Sequence, residues 1–224
     1  MRNNSKTLRS VVLAIAAVTT SVAALADTYR VSVTGTVSSN FMGGAMAGMG
    51  SGTPASMSFL VDSTISLDGT SGATRGFLID PTSFQMTVGG AVLVFDQTQA
   101  ASYFGLRNNN PGVDGVFISH NGNGSQALSI NVPGVTLVQQ LTYSRTFAGG
   151  NPDTTLSSLN LADAVGNYAP GNVSGYTWTL GRNGGTTTEL IPTTLTISAV
   201  PEPASALMLG LGALALGLRR RKSA

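Results

Sequence analysis

The chain has 224 residues, no cysteine, one histidine and only 10% charged side chains. That excludes disulfides, thiolate metal sites and a cysteine nucleophile, and any Ser–His–Asp triad would have to run through one histidine. The formal charge of +2 belongs to the two ends: residues 27–203 hold five arginines, no lysine and all ten carboxylates, so no basic stripe exists for nucleic acid.

Arg2, Lys6 and Arg9 precede the apolar run Val11–Val18, and Val22–Ala26 closes on Ala24-Leu25-Ala26. A basic start, a short apolar run and an A-x-A site are the marks of a secretory signal. Residues 1–26 are therefore expected to form a signal helix, cleaved after Ala26, with Ala24 and Ala26 as the small residues that define the cut. The working body is then 27–199.

The body opens on Arg30–Val37, where Val31, Val33 and Val37 alternate with polar or small residues, the period of a half-buried strand. Phe41–Pro54 is rich in glycine and methionine and is expected to be a mobile loop. Met42, Met46 and Met49 in it are soft ligands of the kind copper takes, but no histidine accompanies them. Strand-like runs follow at 56–62, 63–68, 76–80, 83–88, 91–96, 102–106, 116–120, 127–132, 134–143, 156–161, 176–180 and 193–199. Gly89-Gly90 joins two of them as a tight hairpin, and Asn108–Gly112, Asn121–Gly124, Gly149–Asp153 and Arg182–Gly185 are turn chemistry. Leu156–Val165 also fits one short helix. Many short strands at about ten-residue spacing predict an all-β body, an antiparallel β-sandwich with a jelly-roll variant.

Little in the body points to catalysis. His120 sits between Ser119 and Asn121 at a strand end, the place of a solvated turn histidine. No G-x-S-x-G elbow exists, since Met49 precedes Ser51 where the first glycine belongs. Gly122–Ala127 mimics a dinucleotide loop but leads into a strand. Asp62 with Asp68, and Asn110 with Asp114, offer oxygen ligands that calcium would accept, outside any EF-hand or nonapeptide pattern. The expectation is no enzyme and no cofactor. Tyr176 and Trp178 share one strand face; exposed, they would form a platform for a sugar ring, and buried, they would be core.

The C-terminus carries the sharpest signal. Val200-Pro201-Glu202-Pro203 is followed by fifteen uncharged residues, Ala204–Leu218, and then Arg219-Arg220-Arg221-Lys222. The prolines stop regular structure. Fifteen helical residues span about 22 Å, short of a bilayer core of about 30 Å, so a transmembrane helix over 204–218 relies on snorkelling cations and local thinning. The basic stop 219–222 then stays cytoplasmic. A plain C-terminal anchor has the same physics, as does a helix pair meeting through Ala206 and Gly210.

In this order at the extreme terminus, the three parts resemble the PEP-CTERM sorting signal of Gram-negative bacteria. The resemblance covers residues 200–224 and takes Pro201, Glu202 and Pro203 as the sorting motif. It implies recognition by an exosortase, a membrane processing enzyme, in species that make extracellular polysaccharide. The chain would be an inner-membrane intermediate and then reach the cell surface or extracellular matrix. Its role there would be structural or adhesive, with a carbohydrate-binding module or a secreted hydrolase as alternatives.

Overall fold

The computed structural model describes residues 27–69, 72–98, 101–109, 112–120, 128–136, 138–147, 155–182 and 185–201. Tyr29–Ala199 form one compact unit; Met1–Thr28 with Val200–Ala224 form a second, of which only 27–28 and 200–201 are described. The expected signal helix and transmembrane helix lie outside the described residues. Among those described, no helix is long and apolar enough to cross a membrane.

Eleven strands are described: β1 Thr28–Asn40, β2 Pro54–Asp68, β3 Thr74–Val88, β4 Ala91–Phe95, β5 Ser102–Arg107, β6 Gly115–His120, β7 Leu128–Asn131, β8 Gln139–Phe147, β9 Gly166–Tyr168, β10 Val173–Arg182 and β11 Gly185–Ala199. The ladders β1–β11, β9–β11, β10–β11, β8–β10, β2–β3, β3–β4, β3–β5, β4–β7, β5–β6, β6–β8 and β7–β8 are all antiparallel. β3 pairs with β4 through Met86–Val88 and with β5 through Thr74–Leu78. β8 likewise pairs with β7 through Gln139–Leu141 and with β6 through Ser144–Thr146. β4 and β5 are thus two pieces of one wall position, and β6 and β7 are two pieces of another. Each wall position then pairs with its neighbours in the chain, and the last strand, β11, pairs with the first. The result is a closed antiparallel barrel of eight strands, wound up and down.

The expected sandwich is therefore corrected to a barrel. Alternating strands look the same in either architecture, because each buries one face. What differs is the edge: Tyr29–Asn40 pair with Thr188–Ala199, so neither terminal strand is left open. An eight-stranded barrel has an interior that side chains can fill. Val31, Val33, Phe59, Ile79, Phe104, Leu141, Trp178 and Leu195 are among those that fill this one.

Several local expectations are also corrected. The runs 56–62 and 63–68 are one strand, as are 76–80 and 83–88; each apparent break is a register shift in the β2–β3 ladder. At both shifts an aspartate holds the threonine two residues on. Asp62 Oδ1 accepts from Thr64 N (2.8 Å) and Oγ1 (2.6 Å), and Asp80 Oδ1 from Thr82 N (2.9 Å) and Oγ1 (2.7 Å). The glycine–methionine segment is not a loose loop. It forms a short 3₁₀ turn, Gly44–Met46, and buries Met42 and Met46. Asn40 pins it: Nδ2 donates to Met46 O (2.7 Å), while Oδ1 accepts from Met42 N (3.0 Å) and Thr188 Oγ1 (2.6 Å). Residues 156–161 are neither strand nor helix; Leu156 and Leu161 are buried, as is Ala164 just beyond them. The run expected from Gly134 starts as a strand only at Gln139.

Candidate functional site

The barrel wall opens where β10 and β11 part. Their ladder runs from Arg182↔Gly185 to Thr179↔Glu189. Beyond it β11 is joined instead by β9, through Leu195–Ile197. Pro192, with no N–H to give to a ladder, lies in the stretch between. The gap holds a groove of about 410 Å³ whose walls include Pro170, Val173, Tyr176, Ile191 and Pro192.

Tyr176 and Trp178 share the inner strand face, but they do not form a two-ring platform. Trp178 is 1% exposed and packs edge-on against Tyr143, with ring centroids 6.1 Å apart. It has no face to offer a sugar. Tyr176 is 48% exposed and lines the groove. The difference comes from the parting of β10 and β11: Trp178, next to the ladder's last pair at Thr179, is covered by Tyr143 and by β1 at Gly35, and Tyr176 lies beside the gap.

Across the β8–β10 ladder, Trp178 faces Tyr143 and Tyr176 faces Arg145. Arg145 is 1% exposed. Its Nη2 donates to Ala169 O (2.6 Å), and its guanidinium carbon lies 6.0 Å from the Phe147 ring centroid. Among the described residues, Arg145 Nε and Nη1, Trp178 Nε1 and the Tyr143 hydroxyl have no hydrogen-bond partner in good geometry, although Arg145 lies close enough to the Tyr143 hydroxyl to act on its ionisation. No described carboxylate forms an ion pair with Arg145. Burying a guanidinium alone costs several kcal/mol. The ring contact offsets up to about 2 kcal/mol of that and the single carbonyl about 1.5–3 kcal/mol. Burial pushes the Tyr143 phenol well above its ordinary pKa; the Arg145 charge beside it pulls the other way and loses.

The other candidates are placed elsewhere. Asp114 is fully buried, and its carboxylate accepts from Asn109 N (2.9 Å) and Leu156 N (2.6 Å), which ties two loops together. Asp68 pairs with Arg75, whose guanidinium also reaches Asn160; the arginine holds the Asp68 carboxyl below its usual range. Asp62 is held by Thr64, so Asp62 and Asp68 serve separate contacts. Among the described residues, no group of three or more His, Asp or Glu could hold a metal. Asn110 lies outside the described residues. Met42 and Met46 are core, whereas Met49 lies against the Gly89 turn. His120 is half-buried at the end of β6, facing Ser102 across the β5–β6 ladder.

Arg145 escaped the sequence reading, although a signal for it exists. Leu141, Tyr143, Arg145 and Phe147 alternate with Thr142, Ser144 and Thr146, which sets a cation on the apolar face of a strand.

Of the expected sorting motif, Pro201 is described and exposed; Glu202, Pro203 and the basic stop Arg219, Arg220, Arg221 and Lys222 lie outside the described residues, as do Ala24 and Ala26. Val200 N–H donates to Thr28 O (2.9 Å), so hydrogen bonding reaches the residue before Pro201. Residues 199–222 match the family model of the PEP-CTERM protein-sorting motif. No curated protein and no solved structure matches the chain.

Proposed function

We propose that this chain, a PEP-CTERM protein by the sorting motif at its C-terminus, serves outside the cell as a non-enzymatic component of the surface or matrix, in contact with extracellular polysaccharide. The motif marks an exported protein that an exosortase sorts at the membrane. The finer role rests on the body. Its described carboxylates are largely committed to the fold: Asp62 and Asp80 hold strand irregularities, Asp68 holds Arg75, Asp114 holds two backbone amides and Asp163 holds Ser158. Glycoside hydrolysis needs two carboxylates flanking one cleft, and no described carboxylate lines the groove between β10 and β11. The outer face of the β1–β11 pair carries hydroxyls in register, Ser32 opposite Thr196 and Thr34 opposite Thr194, a surface suited to hydrogen bonding with sugars. On this reading residues 1–26 bring about export and no bound cofactor is needed.

The single observation that carries the proposal is the motif, and it sets the test. Extended backbone keeps its amides free to pair with a processing enzyme, and Pro201 and Pro203 hold the chain extended. The run 204–218 would keep the segment at the bilayer, with 219–222 setting its orientation. Replacing Pro201-Glu202-Pro203 by three alanines should trap a larger form in the inner membrane of an exosortase-bearing host, while wild type leaves at lower mass. Equal full-length mass and equal membrane retention for both would show that the tail is only an anchor.

A second reading is favoured by Tyr176: a carbohydrate-binding module whose contact is the groove between β10 and β11 instead of an exposed pair of rings.

A further inference from the structure

The inner stripe of β8 reads Leu141, Tyr143, Arg145, Phe147, so an arginine stands where strand alternation sets apolar side chains. Opposed residues in an antiparallel ladder share a face with their Cβ atoms about 5 Å apart. Tyr143, Arg145, Trp178 and Tyr176 therefore form one patch of the inner wall. Three of the four are buried, and Tyr176 reaches the groove. The unfilled polar atoms of the patch can all donate: Arg145 Nε and Nη1, Trp178 Nε1 and the Tyr143 hydroxyl. A guanidinium does not lose its charge in a protein. The buried Asp114 forms no ion pair with Arg145; its two oxygens accept from the amides of Asn109 and Leu156 instead.

We propose that this patch binds the carboxylate of an acidic sugar, with Arg145 taking the carboxylate and Tyr176 stacking on the ring. A guanidinium fork matches a carboxylate in shape and charge. The groove supplies the complementary part, since Tyr176, Pro170, Ile191 and Pro192 offer apolar surface to the weakly polar face of a pyranose. Arg145 stands directly behind the groove wall: its Nη2 holds the carbonyl of Ala169, and the next residue, Pro170, lines the groove. Entry requires the Ala169–Pro170 segment to release that one bond. Nη2 then exchanges a neutral carbonyl for a carboxylate oxygen, and Nε or Nη1 gains a second. This inference rests on the carbohydrate-binding reading and names its ligand class.

Trp178 is the only tryptophan of the chain and carries one of the unfilled donors, so its emission reports on the site. The full chain in detergent micelles is titrated with sodium glucuronate, glucose and sodium acetate at constant ionic strength. Glucuronate should give a saturable change, with glucose and acetate at least about tenfold weaker. Arg145→Met should abolish the response to glucuronate. Tyr176→Ala, at a half-exposed position that leaves the core intact, should weaken it several-fold, and Tyr143→Phe should weaken it less. No saturable response to glucuronate, or an unchanged response in Arg145→Met or Tyr176→Ala, overturns the proposal. Glucose binding as tightly as glucuronate overturns the role of Arg145 and leaves the carbohydrate reading standing. Acetate binding as tightly as glucuronate overturns the sugar assignment.

Discussion

Gly35 lies on β1 beneath the Trp178 ring. A Cβ added there would collide with the Ile191 carbonyl oxygen and stand 2.8 Å from the indole, so both backbone and core would have to move. Gly35→Ala should cost about 1–3 kcal/mol, as overpacking of a dense interior does. A lower urea midpoint, followed by Trp178 emission, checks it. Tyr143 makes a prediction about pH. An unfolded tyrosine ionises near 10, whereas burial raises the pKa of Tyr143 in the fold. The folded state then keeps a proton that the unfolded state gives up. Its contribution is fully present below pH 10 and is lost as pH rises toward the folded pKa. Tyr168 is raised in the same direction. The urea midpoint should fall above about pH 10, and Tyr143→Phe should flatten that fall. A slope unchanged by the substitution would assign the effect to other groups.

At the scale of elements, one side chain holds the glycine–methionine segment to the barrel. Asn40 joins Met42, Met46 and Thr188 by three hydrogen bonds. Asn40→Ala leaves the 43–50 turn with few ties beyond Ala45 N–H to Pro133 O (2.8 Å). The expected loss is about 1–3 kcal/mol, with new protease cleavage inside residues 43–50 seen by mass spectrometry. The sequence shows this segment only as glycine and methionine, because its partners lie far along the chain at Pro133 and Thr188. The Asp-x-Thr sites mislead in the opposite way. Asp62 and Asp80 look like strand ends because their side chains bond nearby backbone in the manner of a turn. Both lie inside fifteen-residue strands, where the partner strand continues the ladder across the irregularity.

For the whole molecule, closure depends on the last strand. Seven of the eight wall positions follow their neighbours in sequence, but β11 must also find β1, with Tyr29 opposite Ala199. A chain ending at Arg182 would leave β1 and β10 as open edges and should associate through them. A chain ending at Val200 retains every described strand and should unfold in one cooperative step. Gel filtration and urea unfolding of the two truncations separate these outcomes; a monomeric, cooperative 27–182 fragment would show that β11 is dispensable.

The sequence by itself determined the all-β class, the Gly89-Gly90 turn and the sorting motif. Each is a local matter: alternation sets a strand's faces, a glycine at positive φ sets a tight turn, and a sorting motif carries its signal in its own residues. Tertiary structure alone decided the rest. Whether alternating strands stack as two sheets or close into one depends on the pairing of Tyr29–Asn40 with Thr188–Ala199, a contact across nearly the whole body. The fates of Tyr176 and Trp178, two residues apart, followed from where β10 leaves β11. The charge of Arg145 and its place on the apolar face beside Phe147 are plain in the sequence; its full burial depends on walls supplied by Trp178 and Ala169, which no local pattern places.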